Sequence, residues 1–223
     1  MKILRLIGLA ITLLPGSLLY AQKSISEGTI VYDITIQTGN SIPPKTDAQV
    51  ASSKTVYLKG SNSRTDQVTF LGNEINIHDA KSGSAVILKE FSGQKLMIKL
   101  TKDNWIENNK NFGDVKFDLT SETKTIAGFT AKKAIAKLAG GNQTFTVWYS
   151  PDLLIVNKDY DPTFASLPGL PLEYEIESGQ LKFKYTVSKI NFEPVLVSKF
   201  DFPKSGYRVM TFEENKQMRK GGQ

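Results

Sequence analysis

From Thr29 to Gln37 the chain alternates: Ile30, Tyr32, Ile34 and Ile36 fall on one side of an extended backbone, Asp33 and Thr35 on the other. Strand side chains repeat every second residue, so this period predicts a half-buried β-strand. The same texture returns over Lys54 to Lys59, Arg64 to Phe70, Glu74 to Asp79, Ala85 to Phe91 and Lys95 to Leu100, with Gly, Ser and Asn turns between. Thr38 to Ser52 holds Gly39, Pro43 and Pro44 and reads as a loop, with a short turn of helix at Asp47 to Ser52. Asp103 to Asn111, polar around Trp105 and Ile106, is either a short helix or an irregular crossing.

Two hairpins follow from pairing arithmetic. A two-residue loop at Ser178-Gly179 sets Glu177 against Gln180, Ile176 against Leu181, Tyr174 against Phe183 and Leu172 against Tyr185. It also sets Glu175 against Lys182 and Glu173 against Lys184, which gives those carboxylates an ion-pairing role and argues against catalysis by them. A loop at Gly140-Gly141 sets Leu138 against Gln143, Ala136 against Phe145 and Ala134 against Val147. Small residues opposite bulky ones mean either close packing on another layer or space for a ligand. Near the end, Thr211 and Glu214 form a capping box for a helix reaching about Arg219, with Gly221-Gly222 stopping it.

The first residues follow a different pattern. Lys2 and Arg5 precede an apolar run from Leu6 to Leu14, then Pro15-Gly16 and a small residue at Ala21. This is the layout of a signal peptide over residues 1–21, and the run is roughly half the ~20 residues of a spanning helix. The expectation is an exported protein, periplasmic or extracellular, not transmembrane after cleavage, whose residues 22–223 form a single β-rich domain.

Composition narrows the chemistry. Loss of Lys2 and Arg5 takes the basic residues from 28 to 26 against 22 acidic ones, a mild and scattered excess. There is no dense basic stripe with interleaved aromatics, which argues against nucleic acid. With no cysteine and one histidine, thiolate chemistry, disulfides and His-cluster metal sites are excluded. His78 is out of phase with Ile75 and Ile77 and reads as a surface histidine. Asp152, Asn157, Asp159 and Asp161 read as a solvated loop, with a weak calcium site as the alternative, although the Gly and closing Glu of a calcium loop are missing. Ser150 lacks a nucleophile elbow, and no helix follows Gly140-Gly141 to make a phosphate loop. No enzyme motif and no cofactor site emerges. A hydrolase ranks third among the readings.

Three stretches carry a resemblance: Thr125-Ile-Ala-Gly-Phe-Thr-Ala-Lys-Lys-Ala134, Val147-Trp-Tyr-Ser-Pro-Asp152 and Leu167-Pro-Gly-Leu-Pro-Leu-Glu-Tyr174. In this order they resemble the GLPGLI-type family of secreted proteins of Gram-negative bacteria, and Gly206-Tyr-Arg-Val-Met-Thr-Phe-Glu-Glu214 is similar to its usual ending. Two departures are Ser166, where the motif has its leading glycine, and Ala131, where members often carry a cysteine. The family implies no catalytic residues. In physical terms Pro168 and Pro171 withdraw two donors, so Leu167 to Pro171 is an apolar elbow and not a central strand. The elbow is either a buried corner or the lip of a pocket.

The expected architecture is an all-β antiparallel meander with one or two short helices, one of them C-terminal. Strand succession and export resemble the Lol-type lipoprotein carriers, which implies a curved sheet or half-open barrel. Its concave face would be lined by Tyr32, Phe145, Tyr149, Tyr174, Phe183 and Tyr185, with Ala136 leaving room beside Phe145. That face either holds a lipid or other hydrophobic small molecule, in a cavity of roughly a few hundred Å3, or is filled core. In the second case the chain is a structural or interaction module with a protein partner in the cell envelope.

Overall fold

The structure, a computed structural model, describes residues 22–38, 52–110, 112–138 and 143–221. The leader, the Asp47 to Ala51 part of the helical turn and the Gly140-Gly141 turn lie outside them; Ser52 opens a strand. Strands are β1 Lys23–Ile25, β2 Glu27–Thr38, β3 Ser52–Lys59, β4 Asn62–Thr69, β5 Gly72–Asp79, β6 Ala85–Phe91 and β7 Gln94–Leu100. After helix α1 (Lys102–Asn109) come β8 Lys116–Ile126, β9 Phe129–Lys137, β10 Thr144–Ser150, β11 Leu153–Ile155, β12 Leu170–Ser178, β13 Leu181–Asn191 and β14 Arg208–Met210, then helix α2 (Phe212–Gly221). The polar stretch around Trp105 is thus helical, capped by Thr101 and Asn104 in a reciprocal box. At α2, Thr211 Oγ1 accepts from the Glu214 amide at 3.1 Å while Glu214 accepts from the Thr211 amide at 2.7 Å, as the capping-box reading requires.

One large curved sheet dominates, in the order β14-β7-β6-β5-β4-β3-β2-β13-β12-β10-β9-β8. It is antiparallel except for β14 on β7, and it does not close into a barrel. A parallel β1–β11 pair stands apart from it. Because directly opposed residues share a face, the register traces one inner face across the sheet. From one side it runs Ile98, Ile87, Asn76, Thr65, Val56 and Ile30. From the other it runs Ala136, Phe145, Val147, Tyr174, Tyr185 and Ile34.

The segment from Leu153 to Leu167 lies across this inner face. It makes two 3-10 turns, Lys158–Tyr160 and Pro162–Phe164, capped by the side chains of Asn157 and Asp161. Phe164, 3% exposed, is its central plug, with ring centroids 4.8 Å from Tyr174, 6.3 Å from Phe145 and 6.4 Å from Phe117. Burying one such ring contributes about 1.5–3 kcal/mol, and each ring pair adds roughly 0.5–1.5. Leu153, Ile155, Tyr160 and Leu167 join the same core. A second, smaller core lies under the two helices, around Ile87, Ile98, Leu100 and Phe212.

Two readings of the strand ends change. The hairpin pairs Glu177 with Lys182, Ile176 with Phe183 and Tyr174 with Tyr185, so its loop is Gly179-Gln180. Gly179 has φ +59° and therefore takes the first loop position, where a type II′ turn wants glycine. The shift is by two residues and keeps every side chain on its face. The ion pairs survive as diagonals: Lys182 reaches Glu175 at 2.7 Å and Lys184 reaches Glu173 at 3.3 Å. The hairpin at Ala136–Phe145 and Ala134–Val147 has the expected register.

The second change is at the elbow. Strand β12 starts at Leu170 and pairs Pro171 with Tyr149, inside the sheet, where a bulge between Trp148 and Tyr149 accommodates a residue without a donor. Gly169 is fixed by close approach: a Cβ there would stand 2.1 Å from the Ser150 carbonyl oxygen and 2.9 Å from the Tyr149 ring. Gly169→Ala is therefore expected to cost about 3 kcal/mol, read as a lowered urea midpoint. An unchanged midpoint would show that the elbow can move away from β10.

Candidate functional site

On strand β3, Lys54 lies in phase with Val56 and Leu58 and so points to the inner face. Its Nζ donates to Asp161 Oδ2 at 3.0 Å and to Tyr174 Oη at 3.0 Å, with both charged side chains mostly buried. The rings of Tyr32, Tyr174 and Tyr185 surround it at 5.6–5.7 Å. Burial is the largest single influence and works against the ammonium, but Asp161, Tyr174 and Tyr32 together outweigh it and hold the pKa well above the usual lysine range. Tyr32 donates to the Pro171 carbonyl at 2.9 Å, and Tyr185 donates to Gln67 Oε1 at 3.3 Å. Burial pushes all three phenols up, so they stay neutral, Tyr32 and Tyr185 as donors and Tyr174 as the acceptor from Lys54.

The inner face changes character at β4 and β5. Thr65 and Asn76 pair outward with the apolar Val56 and Ile87, Gln67 and Glu74 with Lys54 and Lys89, and all four polar residues face a cleft of about 230 Å3. Lys54, Trp105, Tyr160 and Asp161 complete its wall. Asn76 Nδ2 holds Glu74 Oε1 at 2.9 Å. Tyr160, 8% exposed, has a buried hydroxyl with no hydrogen-bond partner among the described residues, and burial raises its pKa well above the usual phenol range.

A larger groove, about 730 Å3, opens at the β10–β12 end of the sheet. Phe112, Ile135, Leu138, Phe145 and Ile176 give it apolar walls, with Glu175 and Lys182 at its polar margin. Phe112 lines both spaces, and the turn Asp161–Thr163 contributes to each, so they abut.

The residues picked from the sequence are only partly united. Tyr32, Tyr174 and Tyr185 form one contact group: Tyr174 and Tyr185 stack at 4.6 Å, and Tyr32 meets Tyr174 edge-on at 5.9 Å. Phe145 lines the groove. Ala136, fully buried, lies opposite both Phe145 and Phe117. Phe183 is buried opposite Ile176 and Ile36. Tyr149 packs on the Gly169 elbow, apart from the ring stack.

His78 is not a surface residue. It is 3% exposed and stacked on Trp105 at 4.3 Å, both ring nitrogens without a partner among the described residues, and burial lowers its pKa. The alternation misleads there because both faces of β5 are covered: α1 lies over His78, and Tyr207 packs behind Ile75. The loop read as solvated is so only in part: Asp159 is exposed, Asp152 and Asp161 are half-buried and Asn157 is buried. Asp161 is held by Lys54 and accepts from the Thr163 amide at 3.2 Å, and Asn157 accepts from Asp159, so these oxygens serve as caps. Lys54, Gln67, Asn76 and Tyr160 were missed by sequence reasoning. The available signal was a lysine in phase with Val56 and Leu58, and polar residues repeating every second position across two neighbouring strands.

No family model and no curated protein matches the chain. Among solved structures it is similar to PNGF-II, with TM-score 0.48 and 15% identity over 86% of this chain; it spans 32% of that protein. It is also similar to a beta-barrel-like protein of a domain of unknown function, DUF1849, from Brucella abortus: TM-score 0.36, 8% identity, covering 76% of this chain and 99% of that one. For LprF from Mycobacterium bovis the TM-score is 0.29 at 10% identity, over 75% and 88% of the two chains. With TM-scores below 0.5, none of these likenesses bears on function.

Removing one partner of a buried ion pair leaves the other charge uncompensated. Lys54→Met is expected to cost about 3 kcal/mol, and Lys54→Met/Asp161→Leu to recover much of it. Chemical denaturation of the three proteins checks this; a double variant weaker than Lys54→Met would exclude the pair as the source of the loss.

Proposed function

We propose that this chain is an exported, non-catalytic binding protein that holds the apolar part of a small amphiphile, such as an acyl chain, in the groove at the open end of its curved sheet. The observation that carries this reading is the 730 Å3 groove walled by Phe112, Ile135, Leu138, Phe145 and Ile176. That volume lies within the usual range of small-molecule sites, and its walls join these apolar side chains to polar ones such as Gln143, Thr144, Thr146 and Glu175. The deeper inner face offers no room, since Phe164 and its neighbours occupy it. The ligand space is therefore narrower than the whole concave face, and Ala136 lies beneath its wall. The leader pattern of residues 1–21 supports export, and the Leu167–Pro171 and Gly206–Glu214 motifs support membership of the GLPGLI-type family. Among the described residues no helix is long and apolar enough to cross a membrane.

A second reading, an interaction module of the cell envelope, draws on β8. Among the described residues this strand pairs only with β9, and Leu119 on it is 57% exposed. Open edges of this kind accept further strands.

Titration with a fluorescent long-chain fatty acid separates the two. The expected result is saturable enhancement by the wild type and at least a tenfold loss of affinity in Ile176→Glu, which places a charge on the half-buried groove wall. A folded wild type with no saturable signal would overturn the groove reading in favour of the edge.

A further inference from the structure

The 230 Å3 cleft beside Lys54 has no part in the groove's apolar chemistry, yet it is built from the polar groups of the inner face. Its charges cancel locally: Lys54 is met by Asp161, and Glu74 by Lys89 at 3.5 Å. An anion entering it would face two carboxylates, and a cation would face an ammonium that Asp161 already holds. Hydrogen-bonding capacity remains after the protein's own bonds are made. Lys54 uses two of its three donors on Asp161 and Tyr174. Gln67 spends its oxygen on Tyr185, which leaves its amide nitrogen for the cleft; Asn76 spends its nitrogen on Glu74, which leaves its oxygen. Tyr160 lines this space, more than nine-tenths buried, and its hydroxyl meets no partner among the described residues. A buried hydroxyl without a partner costs roughly 1–3 kcal/mol, a burden that a phenylalanine would remove.

We infer that this cleft is a binding site for an uncharged, hydroxyl-rich group of about monosaccharide size. The group accepts from Tyr160 Oη, Lys54 Nζ and the Gln67 amide, and donates to Asn76 Oδ1 and Glu74. At about 30 Å3 per water the space corresponds to roughly eight waters, enough for one sugar ring and too little for a peptide of several residues. Trp105, with one face on His78, forms part of the wall and gives the site an optical reporter. Such a group occurs as a free saccharide or as the head of a glycolipid. Since the cleft and the groove share Phe112, the second would place its chain in the groove. The cleft assignment itself does not depend on the groove reading.

The chain has two tryptophans, so Trp148→Phe leaves Trp105 as the sole emitter. Trp148 packs on Lys124 and lines neither space, so its loss leaves the cleft intact. In that background the probes are methyl β-D-glucopyranoside, methyl β-D-galactopyranoside, methyl N-acetyl-β-D-glucosaminide, octyl β-D-glucopyranoside below its micelle concentration, and inorganic phosphate. The expected result is a saturable change in Trp105 emission with at least one glycoside and none with phosphate. Tyr160→Phe should weaken that binding about fivefold, the worth of one neutral hydrogen bond, while its urea midpoint stays level or rises. A structural role for the hydroxyl would lower the midpoint instead, and so overturn the assignment. Equal affinity in Tyr160→Phe, a response to phosphate alone, or no response to any glycoside would each overturn it too. Tighter binding of the octyl than of the methyl glucoside identifies a lipid head group as the source. Equal binding of the two identifies a free saccharide, and it leaves the groove reading to the fatty-acid titration.

Discussion

The ammonium of Lys54 and the carboxylate of Asp161, 3.0 Å apart, tie a chain segment to the sheet it covers. A strongly curved sheet exposes an apolar inner face that must be filled, and here the protein fills it with its own residues 153–167. Phe164 supplies most of the apolar area at the centre, against Tyr174, Phe145 and Phe117. The ion pair fixes where that segment lies along the sheet. Backbone bonds anchor its start: Lys23 donates to the Asp152 carbonyl and Val156 to that of Ile25. At its far end Ser166 donates to the Val115 carbonyl at 2.7 Å, and Gly169 presses on Ser150.

From this plug follows the division of the inner face. Where Phe164 and its neighbours sit, the face is core. On one side the sheet runs on past them and leaves the groove at Phe145 and Ile176. On the other, the polar positions of β4 and β5 meet α1 across the cleft. Placing Thr65, Gln67, Glu74 and Asn76 between Lys54 and Lys89 on a face that is elsewhere mostly apolar sacrifices packing there. Sites where local pattern departs from the global fold are where function is to be sought.

Much of this was legible in the chain. Alternation identified the strands because each side of a strand has one environment over most of the sheet. The carboxylate–lysine pairs on β12 and β13 were found even with a register two residues off, since long side chains reach diagonal neighbours. The errors share a cause. His78 was assigned to solvent because its neighbours Ile75 and Ile77 seemed to define the only buried face. Pro171 was kept out of the sheet because a bulge cannot be read from one strand alone. Lys54 and Tyr160 were invisible as a pair because they lie more than a hundred positions apart, and nothing local announces which segment crosses the inner face.

Amide hydrogen exchange over residues 153–169 tests the central claim, that this segment is core and not a removable cover. The amides of Val156, Phe164 and Leu167 donate to the carbonyls of Ile25, Asp161 and Phe164. They are predicted to exchange only with the global opening that releases Tyr32 in β2 and Tyr185 in β13. Exchange of these amides well ahead of the central strands would contradict the account and make the segment a lid over an inner face that can empty.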